Sequence, residues 1–305
     1  MADLLGNEKS RSIVALPDAK ARKEVRKLIQ EAGFAHCREV PDIATLTEKL
    51  GSGDIDLLVT TLGDRNWDSG QLIRAIRQGK LGNPFMIIMV LVDQPTPDLV
   101  SRVVNAGADD LLLSSWPDKT VLGRLEGLVH NRKRFLVTHD YVGPERRNTP
   151  RPGVTSANTF EVPNPLHWFT IPNNDRDGLN RAVEQASEVV NRNKIKSCGN
   201  QLRFLADRAV AGFAAGGHAA IIPDMQVMLA AANELCDRAA NTEFAQAIEL
   251  SAGLRTLCQR LVREDRPARA AEVGVLPQLA DAVIKVIHDS EPEPIPESHL
   301  FEVPE

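Results

Sequence analysis

Residues 11–134 alternate five short apolar runs with five amphipathic stretches, and this alternation constrains the fold of the 305-residue chain more than any other feature. The runs 11–16 (RSIVAL), 35–40 (AHCREV), 55–62 (IDLLVTTL), 84–92 (PFMIIMVLV) and 110–114 (DLLLS) read as strands. Between them, apolar residues fall at helical spacing; in residues 19–32, Ala21, Val25, Leu28 and Ile29 share one face. Gly33 is placed to end that helix, and Asp42 or Thr45 to open the next, which Gly51 stops. Residues 69–78, 97–106 and 119–134 complete the set. Parallel strands need crossover connections, so strict alternation implies a five-stranded, doubly wound parallel sheet covered on both faces. The most apolar run, 84–92, is expected at its centre. Binding sites on such sheets lie at the C-terminal strand ends, here residues 16–18, 61–64, 89–93 and 114–116.

Three segments within this frame carry a recognisable pattern. Arg22 and the ending Glu31-Ala32-Gly33-Phe34 form the first. Strand 55–61 followed by Asp68-Ser69-Gly70 forms the second. Asn105-Ala106-Gly107-Ala108-Asp109-Asp110 followed by residues 111–116 forms the third. Together they resemble the receiver domain of bacterial response regulators, whose matching segment reads A-G-A-x-x-Y-x-x-K-P-F. The resemblance covers residues 11–134 and implies a flavodoxin-like fold. It also implies where chemistry ought to sit: an acidic pair holding Mg²⁺ through carboxylate oxygens, an aspartate phosphoacceptor, and a hydroxyl and lysine that stabilise phosphoryl charge.

This chain departs from that set at every position. The acidic pair falls on Leu16 and Pro17, with Asp18 one residue late. The phosphoacceptor falls on Thr61, or on Leu62 in a shifted register. The hydroxyl position is Met89 or its neighbourhood, and the lysine position is Ser114, followed by Ser115 and Trp116. The expectation is a pseudo-receiver with no catalytic residue, no metal and no cofactor. Asp18, Asp64 and Asp68 read as helix and turn caps; the alternative is a phosphorylation-responsive regulator in which Asp18 and Asp64 form a displaced acidic site. His36 and Cys37 point to opposite faces of a strand and are no ligand pair. The resemblance further implies that residues 97–134 form the surface for dimerisation or partner contact, with Trp116 as an anchor or as a lid on the emptied pocket. The partner expected is a protein, a histidine kinase or another signalling component, and/or a second copy.

Residues 135–174 read as an extended strap. Residues 131–153 hold six Lys/Arg against two acids, a local charge of +4, and Pro144, Pro150 and Pro152 forbid a continuous helix. Five of the chain's thirteen aromatics lie here: Phe135, Tyr141, Phe160, Trp168 and Phe169. A solvated spacer does not carry that apolar load, so the strap is expected to pack on one or both domains. Residues 139–147 resemble the Y-x-G-P-x-R-R segment that follows receiver domains in some proteobacterial regulators. Arg146 and Arg147 suit an acidic partner or a phosphate, which raises a third reading: an anionic-ligand or nucleic-acid binder using the strap.

Residues 175–288 show helical apolar spacing, including Leu179, Val183, Ala186 and Val190, and predict an antiparallel bundle of four or five helices. One of its turns falls at Gly216-Gly217, and Asp224 is placed to open a new helix. Residues 289–305, with six acids and four prolines, are expected to be disordered, as are residues 1–10 to be flexible. The net charge of −5 argues against a globally basic nucleic-acid footprint. The longest apolar run has eight residues, far below the roughly 20 that span a bilayer. Four scattered cysteines point to a reduced, cytoplasmic protein, and the lack of a nucleophile–base pair to a non-enzymatic one.

Overall fold

The computed structural model describes residues 8–51, 54–62, 67–115, 118–146, 159–263 and 267–291. Its first part is β1 (Arg11–Ala15), α1 (Ala19–Glu31), β2 (His36–Val40), α2 (Ile43–Leu50), β3 (Leu57–Thr61), α3 (Ser69–Arg77), β4 (Ile87–Val92), α4 (Pro97–Ala106), β5 (Asp110–Leu113) and α5 (Asp118–His130). The strands pair in parallel in the order β2-β1-β3-β4-β5. That is the flavodoxin-like order, with its topological switch point between β1 and β3.

The middle strand is β3, not the 84–92 run, which supplies β4 between β3 and β5. Every residue of β4 is buried. An unbroken apolar run therefore reports cover on both faces of an interior strand rather than its rank in the sheet. Two apolar layers flank the sheet, one around Leu46, Ile73 and Ile88, the other around Ile29, Phe34 and Leu125. Asp18, Asp42, Asp68 and Thr96 cap α1 to α4, each accepting from a backbone N–H in the first turn.

Beyond α5 the strap is a second, small sheet. It comprises β6 (Phe135–Val137), β7 (Val142–Pro144) and β8 (Thr159–Phe160), in the order β7-β6-β8. Phe135 lies opposite Phe160 in the antiparallel β6·β8 pair. The short α6 (Pro165–Trp168) follows, capped by Asn164.

The rest is helical: α7 (Arg176–Ala239), α8 (Ala247–Val262), α9 (Ala270–Val273) and α10 (Leu276–Asp289). The 64-residue α7 is not one rod, because Gly217 takes φ 68, ψ −156 inside it. Arg208 pairs with Asp224 across that break, and Asn191 Nδ2 donates to Arg238 O at 3.1 Å. Residues 47 apart meet only if the chain folds back on itself. The segment is thus a hairpin turning at Gly217. The second arm is already helical before Asp224, which serves as an ion-pair partner and not as the helix opener its sequence signal suggests. Lys196 pairs with Glu291 and Arg203 with Asp281, so α10 runs antiparallel to the first arm. Leu202, Met228, Leu254, Cys258 and Val283 share the resulting core.

The chain divides into two compact units: one holds the sheet, residues 141–188 and the start of α7; the other holds residues 137–140 and the bundle from residue 189. Among the described residues no helix is long and apolar enough to cross a membrane.

Candidate functional site

At the C-terminal strand ends, polar groups are engaged with their own neighbours. Leu16 is buried and Pro17 exposed, while Asp18 Oδ1 accepts from Ala21 N at 2.7 Å. Arg22 donates to Leu16 O (2.6 Å) and Pro17 O (3.3 Å) and faces Glu39 at 3.4 Å. Thr61 Oγ1 donates to Leu91 O at 2.7 Å, and Ser69 Oγ donates to Thr61 O at 2.5 Å. Asp68 accepts from Gly70 N at 3.1 Å. Ser114 Oγ donates to Asp93 Oδ1.

Met89 does not belong to this edge. It pairs with Val59 in mid-strand, is fully buried, and packs with Val14 and Leu112. The residue of β4 opposite Thr61 is Leu91, two positions later. Alternation along β4 explains the displacement, since a two-residue shift preserves the face but moves the side chain from the strand end into the core. Asp64, Trp116 and Arg147 lie outside the described residues. Among the described residues, no three His, Cys, Asp or Glu side chains are grouped to hold a metal ion.

The opposite, N-terminal edge of the sheet is where buried charge collects. Asp109, just before β5, accepts from Arg77 Nη2 (2.6 Å), Arg132 Nε (2.9 Å) and Ile88 N (2.8 Å). Its side chain and that of Arg77 are each 1% exposed. Arg77 also donates to Gly107 O, Pro84 O and Met86 O; Arg132 donates to Phe85 O, Met86 O and Pro163 O. Both guanidiniums lie over the Phe135 ring, at 5.2 and 4.8 Å. Burial pulls Arg77 down to about 10, opposed by the Asp109 carboxylate, and it stays cationic at neutral pH.

A second such grip joins Asp56, just before β3, to Arg176 at the start of α7. The guanidinium donates to both carboxylate oxygens, at 2.6 and 2.7 Å. Asp56 is fully buried, also accepts from Arg11 N at 2.8 Å, and has its carboxyl raised by desolvation against the pull of Arg176. Arg176 stacks on Phe169 at 4.5 Å.

The Y-x-G-P segment is explained by the same edge. Tyr141 is buried and its hydroxyl donates to Pro144 O at 2.8 Å. Gly143 lies flat on Gly107, and a Cβ at Gly143 would stand 3.0 Å from Gly107 Cα. Arg146 covers the Tyr141 ring at 3.7 Å and donates to Asn105 Oδ1 at 2.5 Å. The strap thus clasps the very Asn105-Ala106-Gly107 turn that carries the receiver pattern. Sequence reasoning missed Asp56, Arg77, Asp109, Arg132 and Arg176 as a set. The legible signal was Arg77, a cation on the apolar face of α3 beside Ile73 and Ile76.

No protein-family model matches the chain, and no curated protein matches it. Among solved structures, it is similar to the chemotaxis protein CheY4 of Vibrio cholerae, at 18% identity over 38% of this chain and 97% of that one, with a TM-score of 0.35. It is also similar to the signal receiver domain of the response regulator NarL of Mycobacterium tuberculosis, at 20% identity over 41% of this chain and 99% of that one, with a TM-score of 0.36. The strand order and register described above, and not these scores, define the fold of residues 11–130.

Proposed function

We propose that this protein is a non-catalytic signalling component that works through protein–protein contact: a receiver-type sheet domain without phosphotransfer chemistry, joined to a helical bundle. The observation that carries this reading is Thr61 at the end of β3, its hydroxyl given to Leu91 O. A threonine there supplies no carboxylate to phosphorylate, and its oxygen already serves a neighbouring strand. Leu16, Pro17 and Ser114 support it, since none offers the cation-binding acid or the cation that phosphoryl transfer needs. The contact surface in this reading is the α4–β5–α5 face, and the partner is a protein of a signalling pathway or a second copy of the chain. Incubation with acetyl phosphate and Mg²⁺, followed by intact mass, is expected to return the unmodified mass. Stoichiometric addition of one phosphoryl group to an aspartate would overturn the reading. Capture on immobilised full-length protein, compared with residues 1–188 alone, is expected to retain the partner in both cases; loss with the shorter chain would move the contact surface to the bundle.

A further inference from the structure

We infer that the α7 hairpin is a self-association surface, on which the same hairpin of a second copy of the chain packs. The inference is independent of the α4–β5–α5 contact proposed above. From Ala209 to Pro223 the chain runs fifteen residues, through the whole tip of the hairpin, without an Asp, Glu, Lys or Arg. Among the described residues, three of the four exposed large apolar side chains also belong to this hairpin: Phe204 (58%), Val227 (42%) and Val210 (39%). Exposed singly, such side chains need no explanation; gathered on one face, they mark a contact.

Their placement is one face. The Arg208–Asp224 ion pair fixes the sides on which the two arms meet. Residues three and four positions away from a given one share its helix face. Phe204 lies four before Arg208 and Ala211 three after it, with Ala215 four further on. Ala220 and Val227 stand in the same relation to Asp224, with Ala230 three beyond Val227. All six are exposed, while Leu205, Ala209, Met225 and Met228 take the opposite, core side of the arms. Two apolar stripes therefore flank the seam between the arms.

Charge, shape and area select the occupant. Arg208 and Asp224 neutralise each other, and Asp207, at the edge of the face, pairs with Arg203. The face thus offers nothing to a strongly acidic or basic partner. The chain carries a net charge of −5, so two copies approach best through a surface free of that excess. A neutral, apolar face lined with alanine is complementary to its own copy. Alanine lets helices close to about 8 Å, the near end of the usual range, and two hairpins laid face to face make a four-helix arrangement. At these exposures the face presents on the order of 500 Å² of apolar surface. Pairing would bury about 1,000 Å² over both copies, the lower limit of a specific interface, so the dimer is reversible.

The test is sedimentation velocity of the full chain from micromolar to millimolar concentration. A monomer–dimer equilibrium without larger species is expected, because a face paired with itself is used up in the dimer. Phe204→Glu with Val227→Glu places like charges on both stripes and is expected to weaken the dimer by about tenfold or more. Arg102→Glu, at an exposed position of α4, is expected to leave it unchanged. Helix content and urea midpoints equal to the parent's establish that the variants fold. If the Glu variant loses helix, Phe204→Ser with Val227→Ser takes its place and is expected to weaken the dimer in the same direction. A chain that stays monomeric at millimolar concentration overturns the inference, as does a dimer that persists unchanged in the Phe204/Val227 variant. Loss of the dimer in Arg102→Glu assigns the contact to the sheet domain and overturns it as well, and open-ended polymers overturn the face-to-face pairing.

Discussion

Replacing Asp109 with alanine should remove the one anion between two buried guanidiniums. The carboxylate accepts three hydrogen bonds, two from cations and one from Ile88 N, in a pocket where its side chain is 1% exposed. Hydrogen bonds to charged groups contribute about 1.5–3 kcal/mol each, and stranding a buried charge by deleting its partner costs about 3–5 kcal/mol. Arg77 and Arg132 keep their carbonyl acceptors, so the lower part of that range, about 3–4 kcal/mol, is the expected loss. With a urea slope of about 2 kcal/mol/M, the midpoint should fall by about 1.5–2 M. The assay is selective, because all three tryptophans precede residue 189 and their fluorescence follows the sheet unit and not the bundle. Asp109→Asn, which keeps an acceptor without the charge, should fall between parent and alanine variant. A double-mutant cycle with Arg132→Ala should give a coupling energy above about 1 kcal/mol. A midpoint shift below about 0.5 M for Asp109→Ala would refute the claim that this carboxylate holds the edge together.

Other expectations concern backbone, burial and the second grip. Gly107→Ala adds a Cβ 2.9 Å from Arg77 Cγ and from Val142 O at φ 99, so fluorescence-monitored unfolding should show a loss of about 1–3 kcal/mol. Arg176→Met removes both donors to the Asp56 carboxylate, which should lower stability by about 3 kcal/mol and speed amide exchange at Arg11. Burial pushes the Cys258 thiol up to about 12, so the unfolded chain gives up that proton first. Its contribution is present below about pH 8.5 and lost as pH rises toward 12, by up to about 1.4 kcal/mol per pH unit. Helix unfolding by circular dichroism should therefore show a shallower decline with pH between about 9 and 10 in Cys258→Ala than in the parent.

The sheet was legible because each of its elements announces itself within a few residues: an apolar run, a cap such as Asp42 or Asp68, a glycine such as Gly33. The Gly216-Gly217 turn was legible for the same reason, since glycine takes the positive φ found at Gly217 without a steric penalty. The small sheet was not, because β6 and β8 have three and two residues and are held together by pairing across 23 positions of chain. No local periodicity survives at that length. The Arg77–Asp109–Arg132 cluster escaped for a related reason. Asp109 sits in a run that reads as a receiver turn, and only folding reveals that its charge is turned inward, away from solvent. Met89 shows the limit within a strand: the pattern fixes which face a residue takes, while the position along the strand depends on register with β3.

Asp56 and Asp109 are acids waiting at the root of the sheet for arginines that the chain makes later. Arg132 arrives just after α5, but Arg176 arrives more than forty residues further on. A truncation after residue 134, at the end of the sheet domain, would leave the buried Asp56 carboxylate without its guanidinium, keeping the Arg11 N–H. A piece meant to keep this grip has to reach past Arg176. A chimera that grafts a different output behind α5 would have to carry its own arginine to the same spot. The sheet domain of this protein is therefore not an interchangeable cassette: its foundation is supplied from the segment that follows it.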